Sequence, residues 1–426
     1  MTELELKQFL DKMGKKGSIY GLDTIRELLL RLGNPQEKLN IVHIAGTNGK
    51  GSILTMIETV MLECGYHTGK YISPCIGAYG EQFLYDQNPI PRERLLVYME
   101  KIKVVSEQMG KEGLPLPTVF EIETALAFLY FVDQKVDIVL LETGMGGLLD
   151  ATNVVEHPIL TIFSSISMDH MSFLGNSIEE IARQKAGIIK ENCPVICYRS
   201  DERAVEVIRQ EAKKKNSPFY LLDETKINLL EENYEMQRFS YADSEEYTIY
   251  LPGEHQVYNT ATAILALWYL GKIYHLPEEK RRLGLLHTRW SARLELVKKS
   301  PLIFLDGAHN EDAAKYLSNF IQKHFTNKRI IYIIGVLADK EYKKMIRQTA
   351  SLAEYIFTIT PDSPRALDAK ILEQEVKKEN TNVKAMDTLK SAYLEATKMA
   401  KREDVIFIFG SLSFMSEIRI LLEEES

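Results

Sequence analysis

Short, unbroken apolar runs recur along this chain, each closing on a cluster of polar residues and followed by a helical pattern. "NIVHIAG" (40–46), "VDIVLLETG" (136–144) and "ILTIFSSIS" (159–167) are too short for helices and carry no polar alternation. Such runs are buried on both faces, as strands of a parallel sheet covered by helices are. The second half repeats the pattern in "LIFLDGAHN", "RIIYIIGVL", "YIFTIT" and "DVIFIFGSL". The chain is therefore expected to be α/β with parallel sheets. In such sheets ligands gather beyond the carboxyl ends of strands. The first runs deliver Gly46, Glu142 and, just past the third, Asp169 and His170 to such ends.

The segment "IVHIAGTNGKGS", Ile41 to Ser52, lies between a strand and the helical pattern "SILTMIETVMLEC", which Gly65 stops. The common nucleotide loop reads G-x-x-x-x-G-K-[ST]. Here Gly51 follows Lys50, the hydroxyl arrives late at Ser52, and Ile44 stands where the first glycine belongs. Glycines in this setting turn backbone N–H groups toward phosphate oxygens at a helix N-terminus. Lys50 adds a compact charge for the β- and γ-phosphates. The competing reading is a tight turn without a ligand.

Glu142 and His170 form a plausible hard-metal pair, and magnesium held against ATP needs only one or two protein ligands. His170 taken alone reads more readily as a structural histidine, and its position after a buried strand, in "SMDHMSFLG", is what shifts the reading toward a ligand. Lys185, in "SIEEIARQKAGIIK", falls inside an apolar helical pattern, where a lysine is costly unless paired or neutralised. It is either a salt-bridged core lysine or the carrier of a CO2-derived carbamate. "FLDGAHNEDAA" places Asp306 and His309 at a strand-to-helix turn, with Asn310 as a helix cap.

With 426 residues, two domains are expected. The boundary falls near 285–296, dividing the chain into 1–290 and 291–426. The tyrosine-rich stretch 217–252 reads as hairpins at the edge of the first domain. A formal net charge of −8 offers no broad basic field for nucleic acid. Lys213 to Lys215 read as a solvated helix face. Four scattered cysteines, Cys64, Cys75, Cys193 and Cys197, read as buried or incidental thiols, and no apolar stretch approaches a membrane span. A cytoplasmic location fits these features.

Taken together, "HIAGTNGKGS", "YISP", "TVFEIETALAF", "LETGMGGLLDATNVV", "SMDHMSFLG", "IARQKAGIIK", "GEHQVYNTATA", "RWSARLE", "LDGAHN", "DKEYKKM" and "GSLSF" resemble, in order and over essentially the whole chain, the folylpolyglutamate synthase/dihydrofolate synthase family, relatives of the Mur ligases. The resemblance implies a P-loop, Mur-ligase-like domain followed by a smaller Rossmann-like α/β domain, and a monomer. It implies that ATP phosphorylates a folate- or pteroate-type carboxylate and that the amine of L-glutamate attacks the acyl phosphate, the domains closing to exclude water. Thr47, Asn48, Gly49, Lys50, Gly51 and Ser52 would hold the ATP phosphates, and Asn259, Arg293 and Asp306 would contact the nucleotide, with His309 beside them. Ser73, Glu142 and His170 match magnesium ligands. Lys185 matches a carbamylated lysine that joins them. Lys50, Lys185, His170 and His309 are the expected catalytic residues. Thr118, Phe120, Glu121, Leu148 and Asp150 match the pocket of the pterin-bearing acid.

The chain departs from the family pattern at Cys75 and Ile76 (usually His-Leu), Gln82 (Arg), Leu148 (Arg), Gln184 (Glu), and Ser291 with Ala292 (Pro-Gly). An arginine replaced by Leu or Gln is a lost forked donor for a carboxylate. Arg92 is the nearest compensating candidate by sequence. Two alternatives therefore stand beside the folate ligase: a paralogue with the same ATP chemistry on a non-folate acid, and a nucleotide-binding protein without turnover.

Overall fold

The computed structural model describes residues 1–14, 21–75, 77–242 and 246–424; Ile76 lies outside them. The chain forms two compact units. The first comprises Met1–Pro74, Tyr79–Thr225 and Tyr258–Leu285, and the second comprises Cys75–Ala78, Lys226–Val257 and Leu286–Ser426.

The first unit is built on eight strands: β1 (Ile41–Ala45), β2 (Thr68–Tyr71), β3 (Phe83–Tyr85), β4 (Asn88–Pro89), β5 (Ile138–Glu142), β6 (Leu160–Phe163), β7 (Val195–Cys197) and β8 (Phe219–Leu221). Their order is β4-β3-β2-β5-β1-β6-β7-β8. From β2 to β8 neighbouring strands pair in parallel, and the β2-β3 and β3-β4 pairings are antiparallel. The central strands β1, β5 and β6 are buried along their whole length, as their apolar runs require. One apolar cluster joins Leu28, Met99, Leu126 and Leu141 from helices Asp23–Arg31, Arg92–Lys111 and Val119–Gln134 and strand β5. Another joins Phe163 and Val195 to Ile181 and Ile208 from helices Ile178–Ala186 and Glu202–Lys214.

The helix Lys50–Glu63 is buried at every position from Ser52 to Met61. That burial forces its one mid-helix charge, Glu58, to find a cation indoors. Lys70 of β2 supplies it, and also donates to Thr55 Oγ1 at 3.2 Å.

The second unit holds an antiparallel sheet of β9 (Ile227–Glu232), β10 (Gln237–Tyr241) and β11 (Glu246–Ile249), in the order β11-β10-β9. It also holds a six-stranded sheet of β12 (Glu295–Lys299), β13 (Leu302–Asp306), β14 (Ile330–Gly335), β15 (Tyr355–Ile359), β16 (Val383–Ala385) and β17 (Val405–Phe409). Its order is β12-β13-β17-β14-β15-β16, parallel except at β12.

The 217–252 stretch corrects the sequence reading. Its first strand, β8, is a parallel edge strand of the first sheet. The rest, β9 to β11, clusters with the second unit, so the compact first unit does not hold all of 1–290. Tyr234 packs on Phe304 and Phe325, with ring centroids 6.3 and 5.6 Å apart, and Glu232 pairs with Lys323 at 2.6 Å. Aromatic burial and an ion pair across a long sequence gap outweigh chain proximity here.

Three local expectations are met. Lys213 and Lys214 end an exposed helix face, the four cysteines are free thiols, and Asn310 caps its helix by accepting from the Ala313 amide at 2.9 Å. Among the described residues, no helix is long and apolar enough to cross a membrane.

Candidate active site

Strand order decides which polar clusters meet. β2, β5, β1 and β6 are consecutive parallel neighbours, so their carboxyl ends lie side by side. Ile44 is in register with Glu142, and Ala45 with Phe163. Beyond the strands the sheet continues as loop contacts: Thr143 N donates to Ile44 O at 3.0 Å, Ser164 N to Ala45 O at 2.9 Å, and Thr47 N to Ser165 O at 2.7 Å. Thr47 Oγ1 donates to Ser167 O and accepts from Ser167 N, each at 3.1 Å, and Ser165 Oγ donates to Asn48 O at 3.1 Å. The loop from Thr47 to Ser52 is thereby sewn to the exit of β6.

Gly49 has φ +89° and is the N-cap of the helix Lys50–Glu63, where as a glycine it offers no side-chain cap of its own. A Cβ at Gly49 would stand 2.5 Å from Asn259 Oδ1, and one at Gly46 would stand 1.8 Å from Ser164 Oγ. Both glycines are therefore required by close approach. An uncapped helix N-terminus presents its backbone N–H groups and the positive end of the helix dipole, the arrangement that binds phosphate. Asn259, almost fully buried, packs against this loop from the helix Glu254–Leu270.

Lys50 and Lys185 converge on one carbonyl. Lys50 Nζ lies 3.2 Å from Gly46 O, 3.4 Å from Thr47 O and 3.5 Å from the buried carboxylate of Glu142. Lys185 Nζ donates to the same Gly46 O at 2.7 Å and is only 4% exposed. Burial first, and the charge of Lys50 second, bring the Lys185 ammonium down to about 7, while Asp169 and Asp150 act in the opposite direction. The partner of Lys185 is thus a carbonyl beside a second cation, and not the salt bridge of the bland reading.

His170 sits in the left-handed region at φ +50°, opening the short helix Met171–Leu174. For a residue with a Cβ that conformation costs about 1–2 kcal/mol, and such strain concentrates at functional sites. Its backbone N–H donates to Asp169 Oδ1 at 2.8 Å. Ser73 lies two residues past β2, partly buried. Among the described residues, no group of three or more His, Cys, Asp or Glu side chains is placed to hold a metal ion. A single buried carboxylate, Glu142, beside the partly buried Ser73 and His170 is a donor chemistry compatible with a hard cation that arrives on phosphate oxygens and keeps most of its waters.

Asp150 closes the loop after β5. Its Oδ2 accepts from Met145 N at 2.8 Å, and its Oδ1 accepts from Thr152 N at 3.0 Å and Thr152 Oγ1 at 2.6 Å. This loop packs tightly on the end of the helix Ile178–Ala186. Leu148 N donates to Gln184 O at 2.7 Å, and a Cβ on Gly147 would meet Lys185 O at 2.6 Å. Leu148 turns outward, 45% exposed.

The other expected pocket residues are placed by a helix cap. Thr118 and Glu121 form a capping box on the helix Val119–Gln134 and hold each other: Glu121 Oε2 accepts from Thr118 N at 2.7 Å. Phe120 closes on Gly144, where a Cβ would lie 2.6 Å from its ring, and stacks with Tyr71 at 6.1 Å. Sequence reasoning missed Glu123 on the same helix. Burial raises its carboxyl to about 7, opposed by the neighbouring polar groups of Tyr79, Gln82 and Tyr71. An acid one turn inside an apolar helix was the available signal. Gln82 is buried against it, with Nε2 3.4 Å from Glu123 Oε1. Arg92 does not compensate for the missing arginines, because its guanidinium is engaged by both carboxylate oxygens of Glu3 and by Tyr79 O.

Within the second unit, Asp306 ends β13 and is buried. Its Oδ2 accepts from Leu294 N at 2.9 Å and its Oδ1 from Ala308 N at 2.8 Å. Burial raises its carboxyl, and Arg293 is the first group that lowers it. Gly307 is required here, because a Cβ would lie 2.1 Å from Arg293 Nη1. His309 Nδ1 donates to Gly307 O at 2.8 Å. Arg293, Asp306 and His309 therefore lie in one cluster around Gly307.

Residues 44–267 match the Mur ligase middle domain, and residues 292–412 match the Mur ligase glutamate ligase domain. Over 409 residues the chain is 39% identical to the dihydrofolate synthase/folylpolyglutamate synthase of Bacillus subtilis, an alignment covering 94% of each chain. It superposes on Escherichia coli FolC in complex with DHPP and ADP with a TM-score of 0.88, at 27% identity over 99% of this chain and 98% of that one. The Mycobacterium tuberculosis folylpolyglutamate synthase complexed with ADP and AMPPCP gives a TM-score of 0.87, at 26% identity over 98% of both chains.

Proposed function

The chain belongs to the Mur ligase family, in its folylpolyglutamate synthase/dihydrofolate synthase branch, and on that premise we propose that it joins L-glutamate to a folate- or pteroate-type carboxylate at the expense of ATP. It is an ATP-dependent ligase, and solved relatives carry ADP, AMPPCP and DHPP. The observation that carries the residue assignment is the meeting of Lys50, Lys185 and Glu142 at the uncapped helix N-terminus.

The substrate carboxylate attacks the γ-phosphorus of ATP, the bond to the β-phosphate oxygen breaks, and ADP leaves. The glutamate amine then adds to the acyl phosphate, loses a proton, and expels inorganic phosphate as the amide forms. Two anions must first approach each other, so catalysis rests on charge neutralisation. Lys50 supplies a fixed cation, and the backbone N–H groups of the 47–52 loop supply dipoles that need no reorganisation. Glu142, with Ser73 and His170, would hold magnesium, which supplies further neutralisation between the phosphates and the carboxylate when bound. Lys185, held near neutrality by burial and Lys50, is suited to react with CO2 and become an anionic carbamate in that same ligand set. Asn259, Arg293, Asp306 and His309 serve the nucleotide. Phe120, Leu148 and Asp150 face the acid, and Thr118 and Glu121 fix the helix start that carries Phe120.

Purified protein with ATP, magnesium, L-glutamate and dihydropteroate or a reduced folate should release ADP in a glutamate-dependent manner and yield a product heavier by one glutamyl residue. ADP release with an unrelated acid, and with no pteroate or folate, would establish the non-folate paralogue instead. Absence of ADP release with every acid tried would leave a nucleotide-binding protein without turnover.

The departures at Leu148 and Gln82 have unequal consequences. A charge-assisted hydrogen bond is worth about 1.5–3 kcal/mol, roughly 10- to 100-fold in affinity. Leu148 is exposed, so Leu148→Arg places its guanidinium in reach of an anionic ligand and should lower KM for the acid about 10-fold, with KM for ATP unchanged. Gln82→Arg meets Glu123 first and should change the acid KM by no more than about twofold, its charge being neutralised within the protein. Steady-state kinetics on the two single variants check this, and equal effects would discard the assignment of Glu123 as the capturing group.

A further inference from the structure

We propose that His43 is a positioning residue for the acid site, acting through the Thr152 hydroxyl to hold Asp150 as a hydrogen-bond acceptor. The proposal rests on the reading above that Asp150 faces the acid substrate. His43 is the one imidazole in β1, fully buried among Ile41, Val42, Ile44 and Ala45. Its Nε2 lies 2.8 Å from Thr152 Oγ1, and Thr152 Oγ1 lies 2.6 Å from Asp150 Oδ1. His43 Nδ1 is buried without a hydrogen-bond partner.

Proton counting orders this chain. Thr152 has one hydroxyl proton, and Asp150 Oδ1 already accepts from the Thr152 backbone N–H. With Asp150 ionised, the hydroxyl proton must point at Oδ1, so Thr152 Oγ1 accepts from His43 and the imidazole carries its proton on Nε2. The reverse order needs a protonated Asp150 and a proton on His43 Nδ1, where a buried donor would have no acceptor. A bare buried acceptor is the less costly defect. Burial, with the charge of Lys190 in second place, pushes His43 down to about 3, which keeps it neutral. The protein atoms hydrogen-bonded to the Asp150 carboxylate oxygens, Met145 N, Thr152 N and Thr152 Oγ1, are then all donors. Burial raises the Asp150 carboxyl and the donated hydrogen bonds from Met145 and Thr152 oppose that rise, so the group is fixed in rotation and offered to a donor on the bound acid. Neither His43 nor Thr152 needs to touch substrate.

Thr152→Val removes the hydroxyl at constant shape and should raise KM for the acid at least 10-fold, with KM for ATP within twofold of wild type. Thr152→Ser should restore the wild-type value. His43→Leu should reproduce Thr152→Val, and the double variant should be no worse than either single one, because both break the same chain. An unchanged acid KM in His43→Leu, or multiplying effects in the double variant, overturns the proposal. Should His43→Leu fail to fold, nitrogen NMR of histidine-labelled wild-type protein decides, the His43 signals being identified by their loss in His43→Gln. The neutral Nε2–H tautomer at neutral pH supports the relay, and an Nδ1–H tautomer or an imidazolium overturns it. That measurement needs no substrate, so it stands even if the wild-type protein turns over no folate-type acid, a result that would defeat the functional reading alone.

Discussion

Lys50→Ala should lower glutamate-dependent ADP release by about 100-fold or more, the scale of removing one preorganised electrostatic stabiliser. Lys50 is pinned over the loop by Gly46 O, Thr47 O and Glu142, and is 14% exposed in its side chain, so it is ordered and still accessible to a ligand. Lys185 cannot take its place, because its ammonium is turned into the protein at Gly46 O and sits near neutrality. Lys50→Arg should recover little. A guanidinium is planar and bulkier than an ammonium, and the glycines around it leave room for backbone and phosphate alone. The loss should appear in kcat under saturating ATP, with the fold retained by circular dichroism. Near-normal ADP release from folded Lys50→Ala would show that this loop is not the phosphate site.

Lys185→Ala should produce a loss of similar order, and part of it should return on adding short carboxylates, which can occupy the space as free anions. The chemistry behind this is the neutral amine. An ordinary lysine at pH 7 is neutral in roughly one molecule in 2,500, given a reference value near 10.4. With its ammonium at about 7, Lys185 is neutral in about half. The neutral fraction rises as pH rises through 7, so protein depleted of CO2 should regain activity on adding bicarbonate more fully at pH 8 than at pH 6. Labelled CO2 should give one carbamate carbon signal in wild type and none in Lys185→Ala. No such signal, together with no dependence on CO2, would return Lys185 to the role of a plain donor to Gly46 O.

Much of this was local and therefore legible in the sequence. Continuous apolar runs specify strands buried on both faces, since such a run has no polar side to turn to water. Glycines at 46, 49 and 307 mark backbone approached too closely for a Cβ, and Asn310 before an apolar-periodic stretch marks a helix start. Those signals placed the 46–52 loop, Glu142 and the Asp306 turn at strand ends, where the structure has them.

What the tertiary structure alone decided is every relation that joins distant segments. The order β2-β5-β1-β6 sets Ser73, Glu142, the 47–52 loop and the β6 exit side by side, and no periodicity encodes strand order. The proximity of Lys50 to Lys185, which makes an amine chemically available, depends on two helices reaching one carbonyl. The strands from 227 to 249 follow Tyr234 to the aromatic rings of the second unit. Arg92 looked free to serve a substrate until Glu3 was found on it. His43 reads as a polar interruption in a strand, and its meaning appears only when Thr152 and Asp150 fold beneath it. Local propensity depends on each residue and its near neighbours, whereas pKa, pairing and hydrogen-bond direction depend on what a side chain is buried against, and that is settled only when the chain closes on itself.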